Sequence, residues 1–140
     1  VQRCNDEAAI ELLRAAYDGG INYFDTANAY SDSEKKIGLA LSDVRDKIII
    51  STKSAARDKE TVLKHIENSL RMMKTDYIDL YYQHRPDPNV PMEDVAGTVA
   101  DLIKEGKVLY WGLSEASEEE LLSSEPSAEP VESAVFSAFN

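Results

Sequence analysis

Apolar and polar residues follow two periods along the chain, one typical of strands and one typical of helices. Short runs rich in β-branched and aromatic residues begin near positions 21, 47, 77, 108 and 131. Between these runs, apolar residues recur every three or four positions, as they do on one face of a helix. The pattern therefore predicts strands that alternate with single helices.

The predicted helices carry recognisable end signals. We expect Asn5 or Asp6 to cap the first helix, Asp32 or Ser33 the second, and Asp58 the third. Pro91 is expected in the first turn of the fourth helix, and Ser117-x-x-Glu120 forms a capping box at the fifth. Gly19-Gly20 and Gly106 are placed to end the first and fourth helices. The predicted buried stripe of the first helix contains Ala9, Leu12, Leu13, Ala16 and Tyr17, and that of the third contains Val62, Leu63, Ile66, Leu70 and Met73.

The strand–helix repeat predicts a parallel sheet, because each strand must be followed by a right-handed crossover to the next one. The repeat length is close to the ~31 residues per unit of a (β/α)8 barrel. It fits that barrel better than a flavodoxin-like sheet, although periodicity alone does not separate the two. We therefore predict one domain, residues 1–140, with an α/β fold that is a partial (β/α)8 TIM barrel.

Composition narrows the classes of function. The 140 residues include 15 basic and 26 acidic side chains, for a net charge of -11, which argues against nucleic acid and anionic membranes as partners. No apolar run reaches the length of a membrane span, and the first residues lack a signal-peptide core. The one cysteine, Cys4, excludes an internal disulfide and fits a reducing cytoplasm.

Polar side chains follow the ends of three successive predicted strands. Asp25 ends the first strand, with Tyr30 in the loop after it, while Lys53 and His84 end the next two. Parallel strands present their carboxyl ends at one rim, where active sites of such folds lie. Together these groups can protonate a carbonyl oxygen while hydride reaches its carbon, since an ammonium helps a phenol to release its proton.

Each of these residues also has a simpler interpretation by itself. Asp25 can brace a loop, Tyr30 can be a packing residue, Lys53 can be a solvated charge, and His84 can be a satisfied polar residue. The occurrence of all four at consecutive strand ends favours catalysis. Outside this set, Tyr81 and Tyr82 are interpreted as core residues, and His65 as a surface residue beside the apolar stripe of its helix.

The sequence around these residues resembles the aldo/keto reductase family. The matching motifs are Gly20–Tyr30, Ile50–Lys53, Asp76–His84 and Gly106–Ser114. The resemblance implies a (β/α)8 barrel and NADPH-dependent reduction of aldehydes or ketones, with Tyr30 as proton donor. It assigns supporting roles to Asp25, Lys53 and His84, and places Ser114 and Glu115 at the nicotinamide.

Several features depart from the family pattern. Glu115 stands where the family usually has Asn, and Phe136 where it usually offers a Gln. The resemblance covers barrel strands two to six, so the first strand and the C-terminal units that grip the cofactor's phosphates are absent. We therefore expect weak or no NADPH affinity if these residues are the whole gene product.

The sequence thus leaves three functional hypotheses. The first is a carbonyl reductase that acts on a small-molecule substrate in the cytoplasm. The second is an inactive partial barrel that self-associates through its open sheet edges, which are templates for pairing. The third, and weakest, is a domain that binds carbonyl compounds without a cofactor.

Overall fold

Four parallel strands form one sheet in a computed structural model that describes residues 5–84, 87, 89–114 and 117–123. The strands are β1 (Tyr23–Asp25), β2 (Ile49–Ser54), β3 (Ile78–Gln83) and β4 (Val108–Leu113). The helices are α1 (Asp6–Asp18), α2 (Ser33–Leu41), α3 (Lys59–Met72), α4 (Met92–Lys104) and α5 (Glu118–Ser123). A short 3-10 helix, Ser42–Lys47, follows α2 and was not expected from the sequence.

The order of the sheet is β1-β2-β3-β4, so each strand lies next to the one before it in the chain. This confirms the predicted α/β fold with parallel strands. The fifth predicted strand, near 131, lies outside the described residues.

The helices pack on one face of this sheet and leave the other face open. The buried side chains between sheet and helices include Phe24, Ile50, Tyr81, Trp111 and Leu113 from the strands, with Ile37, Leu41, Val62, Ile66, Val99 and Leu102 from the helices. The register pairs Asp25 with Ser51, Ser51 with Leu80, and Leu80 with Tyr110, which places these four residues in one row on the open face.

Two residues of the predicted buried helix stripes, and two at the first strand, are exposed. Leu12 is 68% exposed because α1 packs against α2 and buries only a narrow stripe. Leu63, at 37%, lies at the edge of the α3 stripe. Ile21 precedes β1 and is 52% exposed, while Tyr23, at 46%, points to the open face of an edge strand. The first strand is therefore buried on one face only.

Two of the predicted capping hydrogen bonds are present, whereas Asp32 takes the N-cap position of α2 without a side-chain capping bond. Asn5 accepts a hydrogen bond from the Ala8 amide (2.8 Å), and Asp58 accepts one from the Thr61 amide (3.0 Å). The hydrogen bonds from Thr61 lower the pKa of Asp58, because they favour the charged carboxylate. Pro91 takes the N-cap position of α4 rather than its first turn.

Gly38 is the residue at which α2 approaches the end of α3 most closely. A Cβ added there would lie 2.8 Å from two Met73 backbone atoms and closer still to the Met72 carbonyl oxygen. Backbone cannot move aside cheaply, so Gly38→Ala should lower the free energy of unfolding by about 1–3 kcal/mol.

Gly97 of α4 provides a matched control for that substitution. A Cβ there would meet nothing within 4 Å. Gly97→Ala should therefore stabilise the protein by about 0.5–1 kcal/mol through helix propensity alone. Urea denaturation measures both variants, and effects of the same sign would contradict this account of Gly38.

The hydroxyl of Tyr81 is buried and has no hydrogen-bond partner in the described part of the chain. Burial raises the pKa of Tyr81 to about 12. The Ser54 hydroxyl lowers this pKa by a smaller amount, although it does not form a hydrogen bond with the Tyr81 hydroxyl. A tyrosine in the unfolded chain ionises near pH 10. The buried neutral phenol therefore stabilises the fold fully below about pH 10, and this contribution is lost as the pH rises towards 12.

We expect this loss to amount to about 2–3 kcal/mol of unfolding free energy across that range. Tyr81→Phe should flatten the dependence, whereas Tyr110→Phe, at a half-exposed position, should leave it unchanged. Urea denaturation at stepped alkaline pH measures the three proteins. Equal slopes in wild type and Tyr81→Phe would refute the assignment.

Candidate active site

An ion pair between Lys53 and Asp25 is the centre of the candidate site. The Lys53 Nζ lies 2.6 Å from Asp25 Oδ2, and the Ser51 hydroxyl donates a hydrogen bond to Asp25 Oδ1. Asp25 ends β1, while Ser51 and Lys53 are both on the open face of β2. The side chains are 20% exposed for Lys53 and 46% for Asp25, so the Lys53 side chain is the more buried of the two.

Tyr30 lies above this pair, in the loop between β1 and α2. The Lys53 Nζ is 5.7 Å from the centre of its ring, and the residue is 54% exposed. The loop is fixed to β2 by a hydrogen bond from the Asn28 amide to the Lys53 carbonyl (2.9 Å). Ser31 adopts a left-handed conformation (φ 54°), which turns the chain into α2.

His84 and Ser114 follow the ends of β3 and β4 and complete the same rim. The His84 amide donates to the Ser54 carbonyl, and the Ser114 amide donates to the Gln83 carbonyl, both at 2.9 Å. These bonds extend the ladder beyond the strands and hold His84 beside β2 and Ser114 beside β3. The Nδ1 atom of His84 is buried and has no hydrogen-bond partner among the described residues.

A cavity of about 350 Å³ brings these groups together. It is lined by Tyr23, Asp25, Lys53, Tyr82, His84 and Ser114. Four of the six residues that the sequence singled out therefore face one space, whereas Tyr30 is not among its lining residues and lies near it only in that its ring is beside Lys53. The remaining one, Glu115, lies outside the described residues.

Sequence reasoning missed part of this site. Tyr23 and Tyr82 line the cavity, and Ser51 holds Asp25. Tyr82 is buried, as predicted, but on the open face, directly opposite Lys53 in the neighbouring strand. Side chains alternate between the two faces of a strand. Ser51 therefore lies on the same face of β2 as Lys53, and Tyr82 on the same face of β3 as His84, so the sequence contained the information that was missed.

His65 was wrongly interpreted as a surface residue. It is half-buried, and its Nδ1 atom lies 2.6 Å from the Ser54 hydroxyl. The position next to the α3 stripe is covered because α3 packs over the carboxyl end of β2. This side chain faces away from the cavity and plays no part in the site.

The described residues contain no group of three or more His, Cys, Asp or Glu side chains arranged to hold a metal ion. Among them, no helix combines the length and the apolar character that crossing a bilayer requires.

Comparison with protein families gives one clear match. A model of the aldo/keto reductase family matches residues 2–132. The chain is 37% identical over 131 residues to aldo-keto reductase YhdN of Bacillus subtilis, an alignment that covers 84% of this chain and 40% of the relative. It is 35% identical over 131 residues to L-glyceraldehyde 3-phosphate reductase of Escherichia coli, covering 81% of this chain and 38% of the relative.

Solved structures give the same result. An aldo-keto reductase from Klebsiella pneumoniae in complex with NADPH superposes with a TM-score of 0.76 at 30% identity, covering 84% of this chain and 43% of that one. A thermostable aldo-keto reductase, Tm1743, in complex with the inhibitor epalrestat superposes with a TM-score of 0.82 at 32% identity, covering 93% and 50%. The chain thus spans about 40% of the length of these two curated relatives, and up to half of the two solved chains.

Proposed function

Since the chain belongs to the aldo/keto reductase family of oxidoreductases, we propose that it contributes to the NADPH-dependent reduction of an aldehyde or ketone to an alcohol. Tyr30 is the proton donor in this proposal, and Asp25, Lys53 and His84 support it. A cytoplasmic location belongs to the same proposal and is supported by the single cysteine.

The observation that carries the proposal is the ion pair of Lys53 with Asp25, 2.6 Å long and adjacent to the Tyr30 ring. A carbonyl oxygen that gains negative charge needs a proton, and the Tyr30 hydroxyl can supply it. The O–H bond of the phenol breaks, a new O–H bond forms on the substrate, and the phenolate is stabilised by the Lys53 ammonium. Asp25 keeps that ammonium charged and oriented, and Ser51 keeps Asp25 in place.

His84 is suited to orient the substrate. Its ring reaches the cavity, and an imidazole N–H can donate a hydrogen bond to a carbonyl oxygen. Such a bond would fix the oxygen near both the phenol and the ammonium. Positioning of this kind contributes as much to rate as the proton transfer itself.

The cavity has polar groups suited to a nicotinamide. Reduced nicotinamide, when bound, supplies the hydride. The Ser114 hydroxyl offers both a donor and an acceptor to a carboxamide, which supports this part of the proposal. We propose Ser114 and Glu115 as contacts of that ring.

Oxidation of NADPH by the purified chain in the presence of 4-nitrobenzaldehyde tests this function, with Tyr30→Phe as the control. Aldehyde-dependent oxidation that the substitution abolishes would support the proposal. Titration of NADPH fluorescence measures cofactor affinity separately. A rate that Tyr30→Phe leaves unchanged would remove Tyr30 from the chemistry.

The open sheet favours a second candidate function, self-association of a partial barrel that does not turn over. β1 and β4 are the edge strands within the described residues, and Tyr23, Ile49 and Tyr110 on the open face are 39–46% exposed. Edges and apolar faces of this kind are templates for pairing. Light scattering on the purified chain tests it, since a stable monomer with cooperative melting would count against association.

A further inference from the structure

Glu34 is a buried carboxylate that the proposed chemistry does not use. It lies in the first turn of α2 and is only 5% exposed. Its Oε1 accepts a hydrogen bond of 2.7 Å from the hydroxyl of Thr52, which is itself 1% exposed. A carboxylate is costly to bury, so its retention there calls for a compensating interaction.

The location of this hydrogen bond suggests what it does. Thr52 immediately precedes Lys53 on β2, and its side chain points to the helix-packed face. Glu34 follows Tyr30 by four residues, across the turn that leads into α2. The Glu34–Thr52 bond therefore joins the segment that carries the phenol to the strand that carries the ammonium.

Two further contacts brace the loop that carries Tyr30, and a third ties that loop to β2. The Thr26 hydroxyl donates to the Ser33 hydroxyl (2.8 Å), which links the end of β1 to the start of α2. The Ser33 amide donates to the Tyr30 carbonyl (3.0 Å), and the Asn28 amide to the Lys53 carbonyl (2.9 Å). Of all these links, only the bond from Thr52 to Glu34 joins two side chains that are both at least 95% buried.

The start of a helix is also a favourable place for this charge. The free amides and the dipole of the first turn of α2 stabilise a carboxylate at Glu34, which offsets part of the cost of burying it.

We propose that Glu34, acting through Thr52, is a positioning residue that sets the distance between Tyr30 and Lys53. The proposal rests on the proposed function for its catalytic meaning, since the phenol and the ammonium must meet for proton transfer. The effect of Glu34 and Thr52 on the distance between Tyr30 and Lys53 does not depend on that function. Neither residue touches the cavity, so the effect passes through the two segments and not through a contact with substrate.

Two pairs of variants test the proposal. Thr52→Val keeps the shape of the side chain and removes the hydroxyl, and Glu34→Leu removes the acceptor. Glu34→Gln keeps an acceptor oxygen without the charge and should behave like the wild type. Thr98→Val is the matched control, because Thr98 is buried to 3% and donates to the Asp94 carbonyl on α4, away from the site.

The main readout is the nuclear Overhauser contact between the Tyr30 ring and the Lys53 side chain, which does not depend on turnover. We expect it in wild type, Glu34→Gln and Thr98→Val, and we expect it to weaken strongly in Thr52→Val and Glu34→Leu. Where reduction is measurable, kcat should fall about 10–100-fold in the latter two, because small misplacements of reacting groups are costly.

The possible outcomes separate clearly. A contact that persists in a folded Thr52→Val chain would overturn the proposal, and so would its absence from wild type. If the contact between Tyr30 and Lys53 were also lost in Thr98→Val, the cause would be a general loss of stability, and the proposal would be overturned. If Glu34→Leu does not fold, Thr52→Val decides alone. The expected contacts in a chain without reductase activity would uphold the positioning role while the proposed function fails.

Discussion

Tyr30→Phe is expected to lower the rate of carbonyl reduction by about 10²–10⁴-fold, the range that a positioned general acid contributes. The substitution removes one hydroxyl and keeps the ring beside Lys53. The proposed contacts of His84 with substrate and of Ser114 with cofactor would remain, so the loss should appear in kcat more than in KM. Steady-state oxidation of NADPH at saturating aldehyde measures it.

Tyr110→Phe is the matched control for this experiment. Tyr110 lies on the same open face, in the row of Asp25, Ser51 and Leu80, and is 39% exposed. Loss of its hydroxyl should leave the rate within about twofold of wild type, because it does not line the cavity. Comparable losses in both variants would mean that the open face, and not Tyr30, governs the reaction.

Lys53→Met provides an independent check of the same mechanism. It removes the ammonium proposed to stabilise the phenolate and leaves Asp25 without its counter-ion. The rate should fall at least as far as in Tyr30→Phe. Combining the two substitutions should add little, because residues that act as a unit have non-additive effects.

The order and type of the elements could be predicted from the sequence because their signals are local. Asn5 and Asp58 cap the helices that follow them, and β-branched and aromatic residues mark β2, β3 and β4. The rim that unites Asp25, Lys53 and His84 follows from parallel strands alone. These parts of the fold depend on residues close together in the chain.

Features that depend on the packing of distant segments could not be predicted in this way. The exposure of Tyr23 reflects the absence of helices from one face of the sheet, which periodicity does not reveal. The contact of His65 with Ser54 depends on how α3 crosses β2. Ser51 and Tyr82 enter the site only through the strand register, which places them beside Asp25 and Lys53.

Arg45 is a buried cation that joins the starts of β2 and β3, at the end of the sheet opposite the site. Its guanidinium forms a 2.6 Å ion pair with Asp79 and stacks 3.8 Å from the centre of the Tyr77 ring. The Asp79 carboxylate also accepts the Ile50 amide at 2.9 Å. The remaining guanidinium hydrogen bonds go to the Thr75 hydroxyl and to the carbonyls of Ile48 and Tyr77.

Asp79→Ala is therefore expected to lower the free energy of unfolding by about 3–5 kcal/mol, because it leaves Arg45 charged, buried and without its counter-ion. The side chains are 10% and 17% exposed for Arg45 and Asp79, so water can replace the lost carboxylate only poorly. Urea denaturation measures the change. The double variant Arg45→Met, Asp79→Leu should lose less than the sum of the single variants, because it leaves no unpaired charge.

Asp43→Ala is the control, since it breaks the exposed pair of Arg14 with Asp43, whose side chains are 35% and 64% exposed. It should cost no more than about 1 kcal/mol, and high salt should reduce even that effect. The contrast isolates burial as the cause, because both substitutions remove a carboxylate from an arginine. If Asp79→Ala lowered the free energy of unfolding no more than Asp43→Ala does, the buried contacts of Arg45 would contribute little to joining β2 and β3.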